Sequence, residues 1–365
     1  MKASVLLALL PALAMANPVE LEARENWNIL KLGKPCKEPS SFTSAVSTRA
    51  IDTTIINNDG ASVPGQSGAR GHFGFKLNSK EDKICWDITT VGVTGEYQSP
   101  ANTATHIHQA AAGSAGPPRL AFPNPEFKYT DVEGKEVRVS KGCAQGPFST
   151  GLTVAGQPGV DTGSASGFTI AQIENNPVGF FADTHTVAFP AGAIRGQLQK
   201  SEVPVKRPKR FTHSLKGVAT DGNVITPAPA QQPVAGEKGA KAWFNLDLDV
   251  DNEILCYHIK TKGVTGKYFS QAKTSTHVHR SPAGTSGPPV ISFKNPQKVW
   301  WGWKTRKSQA CVKGPFTTGL LNPQGQDTGN GFKLADLVAN PEGWAIDTHT
   351  EKFIPGAVRG QLARK

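Results

Sequence analysis

The chain has 365 residues, of which 38% are hydrophobic and 19% are charged, and its formal net charge is +11. This length is too great for one small domain, and the apolar content is too high for a disordered chain, so we expect two or three folded domains. The positive charge favours an acidic polysaccharide, a cell wall or another anionic surface as partner. Nucleic acid is the weaker candidate, because the N-terminal pattern described next predicts export of the chain.

Residues 1–16 have the pattern of a secretory signal peptide. Lys2 supplies a positive charge, Val5–Leu10 is a short apolar run, and residues 14–16 fit a small-residue cleavage pattern. The run is too short to span a bilayer, and no other stretch approaches that length. We therefore expect a secreted, extracellular protein without a transmembrane segment, whose mature chain begins near residue 17.

An internal repeat organises the rest of the chain. Residues 72–125 match residues 243–296 without a gap, and the matched copies end at G-A-I-R-G-Q-L (192–198) and G-A-V-R-G-Q-L (356–362). Each copy is too long for a solenoid repeat and suits an independent domain. The expected organisation is an N-terminal arm without counterpart (17–40), a first domain (41–200), a basic extended linker (201–210) and a second domain (211–365).

Short apolar runs between turn residues predict an all-β fold. In both copies a run rich in β-branched and aromatic residues, 85–91 and 255–260, is followed by a G-V-T-G turn. Helical periodicity occurs once per copy, at 168–173 and 332–338, and stops at an Asn-Pro pair. We predict two tandem antiparallel sandwiches or barrels, each with one short helix.

The five cysteines form two matched pairs and one remainder. The economical interpretation is one disulfide within each domain, Cys85–Cys143 and Cys256–Cys311, in an oxidising compartment. Cys36 lies in the arm and is either free or joins two chains in a dimer.

Six of the nine histidines occupy matched positions, whereas His72, His213 and His258 have no histidine counterpart. The matched pairs are His106 and His277, His108 and His279, and His185 and His349. Residues i and i+2 of a strand share a face, so each H-x-H motif directs two imidazoles to one side. A third imidazole from the D-T-H-T motif completes a three-nitrogen set that suits copper or zinc, one ion per domain.

Three interpretations of these histidines stay open: a metal site, a structural polar cluster that satisfies hydrogen bonds, and a metal-free ligand pocket. Asp183 and Asp347 precede the third histidine by two residues, and we expect them to accept an N–H from a metal ligand. Arg195 and Arg359 of the R-G-Q-L motifs either steer an anion toward the histidines or form buried hydrogen-bond clamps.

The two copies differ ahead of the last cysteine. The second copy has Trp300, Trp301 and Trp303 beside three cations, whereas the first has a more acidic hairpin. The tryptophans form either a surface that binds sugars or head groups by stacking, or one buried aromatic ladder.

Together these motifs resemble the chordin-type (CHRD) domain. H-I-H, G-x-x-G-P-P, D-T-H-T and F-P-A-G-A-I-R-G-Q-L follow one another in the first copy, and the second copy departs only slightly, with Ile354-Pro355-Gly356 in place of Pro190-Ala191-Gly192. The resemblance covers most of the chain. It implies an extracellular, immunoglobulin-like β fold, found in microbial members alone or in tandem, and it brings no catalytic residues.

A fainter similarity is to copper/zinc superoxide dismutase, with H-V-H on a Greek-key strand, a G-P turn, one disulfide and a late arginine. The bridging-histidine and zinc-loop pattern of that enzyme is missing here. The first function we consider is a secreted binding or structural protein with a metal site in each domain. The alternative is a copper-dependent oxidoreductase, similar to superoxide dismutase, or a copper carrier.

Overall fold

The computed structural model describes residues 32–299 and 304–365, and these residues form two domains built almost entirely of antiparallel strands. The predicted signal peptide, the first part of the arm, and Trp300, Trp301 and Trp303 lie outside the described residues. No described helix is long and apolar enough to cross a lipid bilayer.

The first domain consists of one large curled sheet and a short two-stranded ribbon. Its strands are β1 (Lys34–Pro35), β2 (Ser44–Ile51), β3 (Ile55–Ile56), β4 (Ser62–Val63), β5 (Arg70–Asn78), β6 (Lys83–Val91), β7 (Thr105–Gln109), β8 (Pro118–Phe122), β9 (Glu126–Thr130), β10 (Glu136–Gln145), β11 (Phe180–Thr186), β12 (Phe189–Gln197) and β13 (Gln199–Lys200). The strand order is β1-β10-β6-β5-β2-β12-β11-β7-β8, with β13 on β2 and β9 on β10, while β3 and β4 form a separate ribbon.

The second domain repeats this sheet. Its strands are β14 (Val203–Pro204), β15 (His213–Thr220), β16 (Lys241–Asp249), β17 (Ile254–Lys262), β18 (Thr276–Arg280), β19 (Pro289–Phe293), β20 (Gln297–Lys298), β21 (Thr305–Lys313), β22 (Trp344–Thr350) and β23 (Phe353–Arg364). The order is β14-β21-β17-β16-β15-β23-β22-β18-β19, with β20 on β21. In each domain the last long strand returns beside the first, which is a Greek-key arrangement. The predicted all-β class is confirmed.

Alternation along the strands places one apolar face of each sheet in the core. On β5, Phe73, Phe75 and Leu77 are buried in the core, and the alternate residues His72 and Lys76 lie on the other face. The predicted helices are also present, as α1 (Ile170–Asn175) and α2 (Leu334–Ala339), and each ends just before its Asn-Pro pair.

Both predicted disulfides are present and join directly opposed residues of neighbouring strands. Cys85 on β6 bonds Cys143 on β10, and Cys256 on β17 bonds Cys311 on β21. Closing loops of 58 and 55 residues stabilises each domain by about 4 kcal/mol in the chain-entropy estimate.

The segments ahead of the two domains are structurally equivalent, which the sequence comparison did not anticipate. Lys34 and Pro35 pair with the end of β10, and Val203 and Pro204 pair in the same way with the end of β21. The described end of the arm therefore has a structural counterpart, and residues 203–204 of the expected extended linker pair as an edge strand of the second domain.

Candidate metal centre

Strand pairing brings the matched motifs of each copy side by side. In the first domain β7 pairs with β11 so that His106 lies directly opposite Asp183, and β12 places Arg195 on the other side of Asp183. Ile107 points into the core, so His106 and His108 project from the opposite face. The second domain has the same pairing, with His277, Asp347 and Arg359 in one row.

Irregularities in the strand pairing orient the other two histidines, His108 and His185. The β11–β12 register shifts between Thr184 and Thr186, so His185 lies at a bulge, and the β7–β8 register shifts between Ile107 and His108. The second domain has the same two shifts. A bulge changes the direction of a side chain relative to a regular strand, and such features recur beside functional sites.

The result in the first domain is a compact cluster around one carboxylate. Asp183 Oδ1 lies 3.6 Å from His106 Nδ1 and 3.3 Å from His108 Nε2, and Asp183 Oδ2 lies 3.1 Å from His185 Nε2. All four candidate ligand atoms lie within 4.8 Å of one another. A tetrahedral ion with bonds of about 2.0–2.1 Å separates its ligand atoms by about 3.3 Å, so these spacings suit zinc or copper.

The far side of each ring determines which nitrogen carries the proton. His106 Nε2 bonds the Thr103 carbonyl at 2.6 Å, His108 Nδ1 bonds the Gly116 carbonyl at 2.8 Å, and His185 Nδ1 bonds the Pro190 carbonyl at 2.9 Å. A carbonyl only accepts, so each of these nitrogens donates, and in the neutral ring the other nitrogen presents a lone pair to the cluster.

The converging atoms lack hydrogen-bond partners. His106 Nδ1, His108 Nε2, His185 Nε2 and Asp183 Oδ1 are buried and form no hydrogen bond within the described part of the chain. Buried polar atoms are normally satisfied, and three lone pairs beside a carboxylate oxygen repel one another unless a cation lies among them. The donor set therefore fits a divalent metal ion.

The Asp183 carboxylate lies on the inner side of the three rings. The ligand N–H groups are accepted by backbone carbonyls, whereas the Asp183 carboxylate faces the point where the ring nitrogens converge. It is thus one of the four groups that could hold a metal ion, and its role as an acceptor from a metal ligand stays a prediction. Asp347 has the same position in the second domain.

The cluster of the second domain has similar distances, but its carboxylate is more fully hydrogen-bonded, to His279 Nε2 at 3.0 Å and to an arginine. His277, His279 and His349 approach Asp347 at 3.6, 3.0 and 3.1 Å. Arg359 Nη1 donates to Asp347 Oδ2 at 3.1 Å, and its Nη2 donates to Ser281 Oγ and the Thr285 carbonyl. The buried-clamp interpretation of Arg359 thus has a structural basis.

In the first domain an aromatic ring occupies the corresponding place. Phe181 stacks on His108 with ring centroids 4.8 Å apart, and the Arg195 guanidinium lies 3.4 Å from the Phe181 centroid. Arg195 donates to the Ser114 carbonyl at 2.6 Å. The equivalent of Phe181 is Ala345, which leaves room for the arginine to reach the carboxylate.

Burial and neighbouring charges shift the pKa values of the ionisable groups in the cluster in different directions. Burial lowers the pKa of His106 and of His277 to about 4, although the neighbouring carboxylate opposes this shift. Burial also disfavours a charged His185, but the Asp183 carboxylate outweighs burial and raises the pKa of that ring. Burial likewise raises the pKa of Asp183, yet His108 and His185 hold it well below its usual range.

Two glycines allow the backbone to approach the cluster closely. A Cβ at Gly116 would lie 2.1 Å from the Gln109 carbonyl, and one at Gly287 would lie 2.0 Å from the Arg280 carbonyl. Because glycine has no side chain, the G-P-P loop can bring the Gly116 carbonyl to His108 and the Gly287 carbonyl to His279. In the sequence this loop is only one of the motifs that resemble the CHRD domain, and the roles of the Thr103 and Pro190 carbonyls carried no sequence signal.

The unmatched histidines lie elsewhere. His213 and His258 are exposed on β15 and β17, and His72 lies on β5 facing the second domain. They are not part of either cluster.

These features define a class: a tandem all-β protein with one buried His₃-Asp cluster in each domain. The sequence profile described as the CHRD domain matches residues 53–198 and 219–362, and the chain belongs to this family. No curated protein and no solved structure matches it.

Proposed function

We propose that this protein is an extracellular binding protein in which each CHRD domain holds one zinc or copper ion through three imidazoles and one carboxylate. The observation that carries the proposal is the convergence of three ring nitrogens and one carboxylate in each cluster, with four of these atoms unpartnered in the first domain and His277 Nδ1 unpartnered in the second. A purely structural polar cluster explains them less well, because one shared proton on His185 leaves His106 Nδ1 and His108 Nε2 without partners.

The bound ion would tie together elements that are distant in sequence. Its ligands come from β7 and β11, and those ligands are held by the loops that end at Thr103 and Gly116. A closed set of four protein ligands is typical of a metal ion that stabilises the fold. Disulfides and membership of the CHRD family are consistent with an extracellular location.

Metal analysis of the untagged full-length protein tests the proposal. After removal of metal with a chelator and reloading with zinc or with copper, we expect about two tightly held equivalents, one per domain. His106→Ala and His277→Ala should each remove one equivalent, whereas the exposed His213→Ala and His258→Ala serve as matched controls and retain both. Wild-type protein with less than about 0.2 equivalents would overturn the proposal.

The two sites should differ in affinity. Asp347 shares its charge with Arg359 at 3.1 Å, whereas Asp183 has no such contact with Arg195. A carboxylate already paired with a cation attracts a metal ion less strongly. In a chelator competition the first domain should release its ion last, and loading of both sites at the same chelator concentration would contradict this ranking.

A copper-dependent redox function is the second candidate, favoured by one observation. The His108 and His185 side chains remain 13% and 11% exposed, so one edge of the cluster reaches solvent. Copper spin resonance together with assay of superoxide turnover by the copper-loaded protein tests it. A copper-loaded protein without turnover would favour binding or carriage.

We also propose an acidic polysaccharide of a cell wall or matrix as the partner, supported by the net charge of +11. Cys36 forms no disulfide within the described residues. A dimer joined through Cys36 remains a prediction, which electrophoresis without reductant checks.

A further inference from the structure

A large cleft lies between the two domains, away from both His₃-Asp clusters. Its volume is about 880 Å³, which is within the range of ligand-binding cavities. One wall is the outer face of β5 and β6, and the other consists of the segment 268–275 and residues from β19 and β21. Both domains are therefore needed to form it.

Cations outnumber acids along this cleft. Its lining includes seven cations and three carboxylates; the cations are Arg49, Arg70, Lys76, Lys141, Lys273, Lys294 and Lys307. Asp87 is paired with Lys141, Glu202 with Lys273, and Asp131 with Arg70. Lys294 and Lys307 are exposed and have no ion pair among the described residues, so their charges are available to a ligand.

Hydrogen-bonding groups without partners also line the cleft. His72 Nδ1, Thr274 Oγ1 and Ser292 Oγ are buried atoms that form no hydrogen bond within the described ranges. His72 lies between Arg49 and Thr89 in a row across three strands. Burial, followed by the charges of Lys273 and Arg49, lowers the pKa of His72 to about 3, so the neutral ring is available as a hydrogen-bond partner in a positive field.

The combination of cations and polar groups suits a polyhydroxylated anion. Hydroxyl and amide groups of Ser270, Gln271 and Asn295 lie in the same lining as the cations, and Tyr129 adds an aromatic surface of the kind that packs against sugar rings. A simple anion needs no such extended polar wall. A polysaccharide chain with carboxylate groups uses the hydroxyls, the cations and the length of the cleft together.

We propose that this interdomain cleft is the binding site for a carboxylated polysaccharide. The inference rests on the proposed acidic-polymer partner and assigns it to a surface that only the tandem arrangement creates. The metal clusters are not required for it, since none of their residues lines the cleft.

Binding of polygalacturonate oligomers to the full-length protein at low salt tests the assignment. Lys294→Glu with Lys307→Glu should weaken binding by at least about tenfold, because two attractive charges become repulsive, and added salt should reduce the difference. The matched control is Lys241→Glu with Lys262→Glu, an exposed pair on neighbouring strands outside the cleft, which makes the same change in net charge. A neutral dextran should not bind.

The outcomes separate the site from the function. Equal weakening by the two double variants would show that binding depends on net charge, which overturns the cleft and leaves an acidic partner in place. Failure of the wild-type protein to bind at low salt would overturn both the cleft and the polysaccharide proposal. Loss of binding in the cleft variant alone supports the assignment.

Discussion

The histidines of each cluster are held in fixed orientations before any ligand arrives. Each ring donates to a backbone carbonyl at 2.6–2.9 Å, which fixes both its rotation and its tautomer. Backbone carbonyls belong to rigid strand ends and loops, so they orient a ligand more firmly than a flexible side chain does. The metal ion proposed for each cluster would therefore bind without much rearrangement of the rings.

Without a metal ion, the same cluster should make stability depend on pH in two directions. The pKa of His185 and of His349 is raised in the folded state above the usual 6.5, so their contribution to stability is complete below 6.5 and is lost as the pH rises through the raised value. The pKa of His106 and of His277 is lowered to about 4, so between about 4 and 6.5 the folded state binds fewer protons and stability rises with pH.

Chelator-treated protein should accordingly be most stable near pH 6.5, as measured by urea unfolding from about pH 4 to pH 9. Metal-loaded protein should show no decline on the alkaline side, because the ion replaces the proton next to the carboxylate. The control is His185→Gln with His349→Gln, which lacks the rings with raised pKa and should lose the alkaline decline. Equal stability of the metal-free protein from pH 6.5 upward would contradict the prediction.

At the scale of elements, the repeat made much of the fold predictable. Alignment of the two copies matches Cys85 with Cys256 and His106 with His277. Matched positions of this kind predicted the two disulfides and the three histidines of each cluster. Strand alternation then placed His106 and His108 on one face. These inferences depend on side-chain identity, which a sequence states directly.

Features that depend on backbone contacts were not predictable. The Thr103 and Pro190 carbonyls orient His106 and His185, but every residue has a carbonyl, so no residue type marks this role. The pairing of β1 was missed for the same reason, since its match with β14 lies in backbone hydrogen bonds. The position of Asp183 followed from the register of β7 and β11, which the sequence leaves open.

The segment between the domains should be cleaved without separating them. The segment contains two dibasic pairs. Lys209 and Arg210 are exposed and followed by Phe211, whereas Lys206 and Arg207 precede Pro208, whose ring restricts the backbone. Upstream of the cut, Val203–Pro204 pairs with β21, and Glu202 accepts from Thr317 and pairs with Lys273. A dibasic-specific subtilisin-like protease should therefore cut after Arg210 and leave β14 in the second sheet.

Size-exclusion chromatography should show one particle after this cleavage, and denaturing electrophoresis should show two fragments. Lys209→Gln with Arg210→Gln should remain intact under the same treatment. Separation of the fragments in native buffer would show that the contacts around β14 are too weak to hold the domains together.

At the scale of the whole molecule, differences between the copies mark the surface where the domains meet. Arg49 and His72 are paired neighbours on the outer face of the first domain, and the equivalent pair in the second domain is Val218 and Trp243. Val218 is 50% exposed, whereas Arg49 and His72 line the interdomain cleft. Positions that are identical in the two copies therefore form the His₃-Asp clusters within the domains. Arg49 and His72, which differ from their equivalents in the second copy, lie where the two domains meet.

Arg49 should couple the unfolding of the two domains. Its Nη1 donates to the Gln271 carbonyl at 2.9 Å and to the Gly319 carbonyl at 3.1 Å, both in the second domain. Hydrogen bonds from a charged donor contribute about 1.5–3 kcal/mol each when buried, and partial exposure here reduces that value.

Arg49→Met keeps most of the apolar stem and removes the donors, so calorimetry should resolve two transitions where the wild-type protein unfolds in a more concerted manner. Arg364→Met is the matched control, because Arg364 donates to the Val338 carbonyl within one domain. If the Arg49 and Arg364 variants gave the same calorimetric profile, the domains would be held by the remaining contacts, including Gln271 with Glu133.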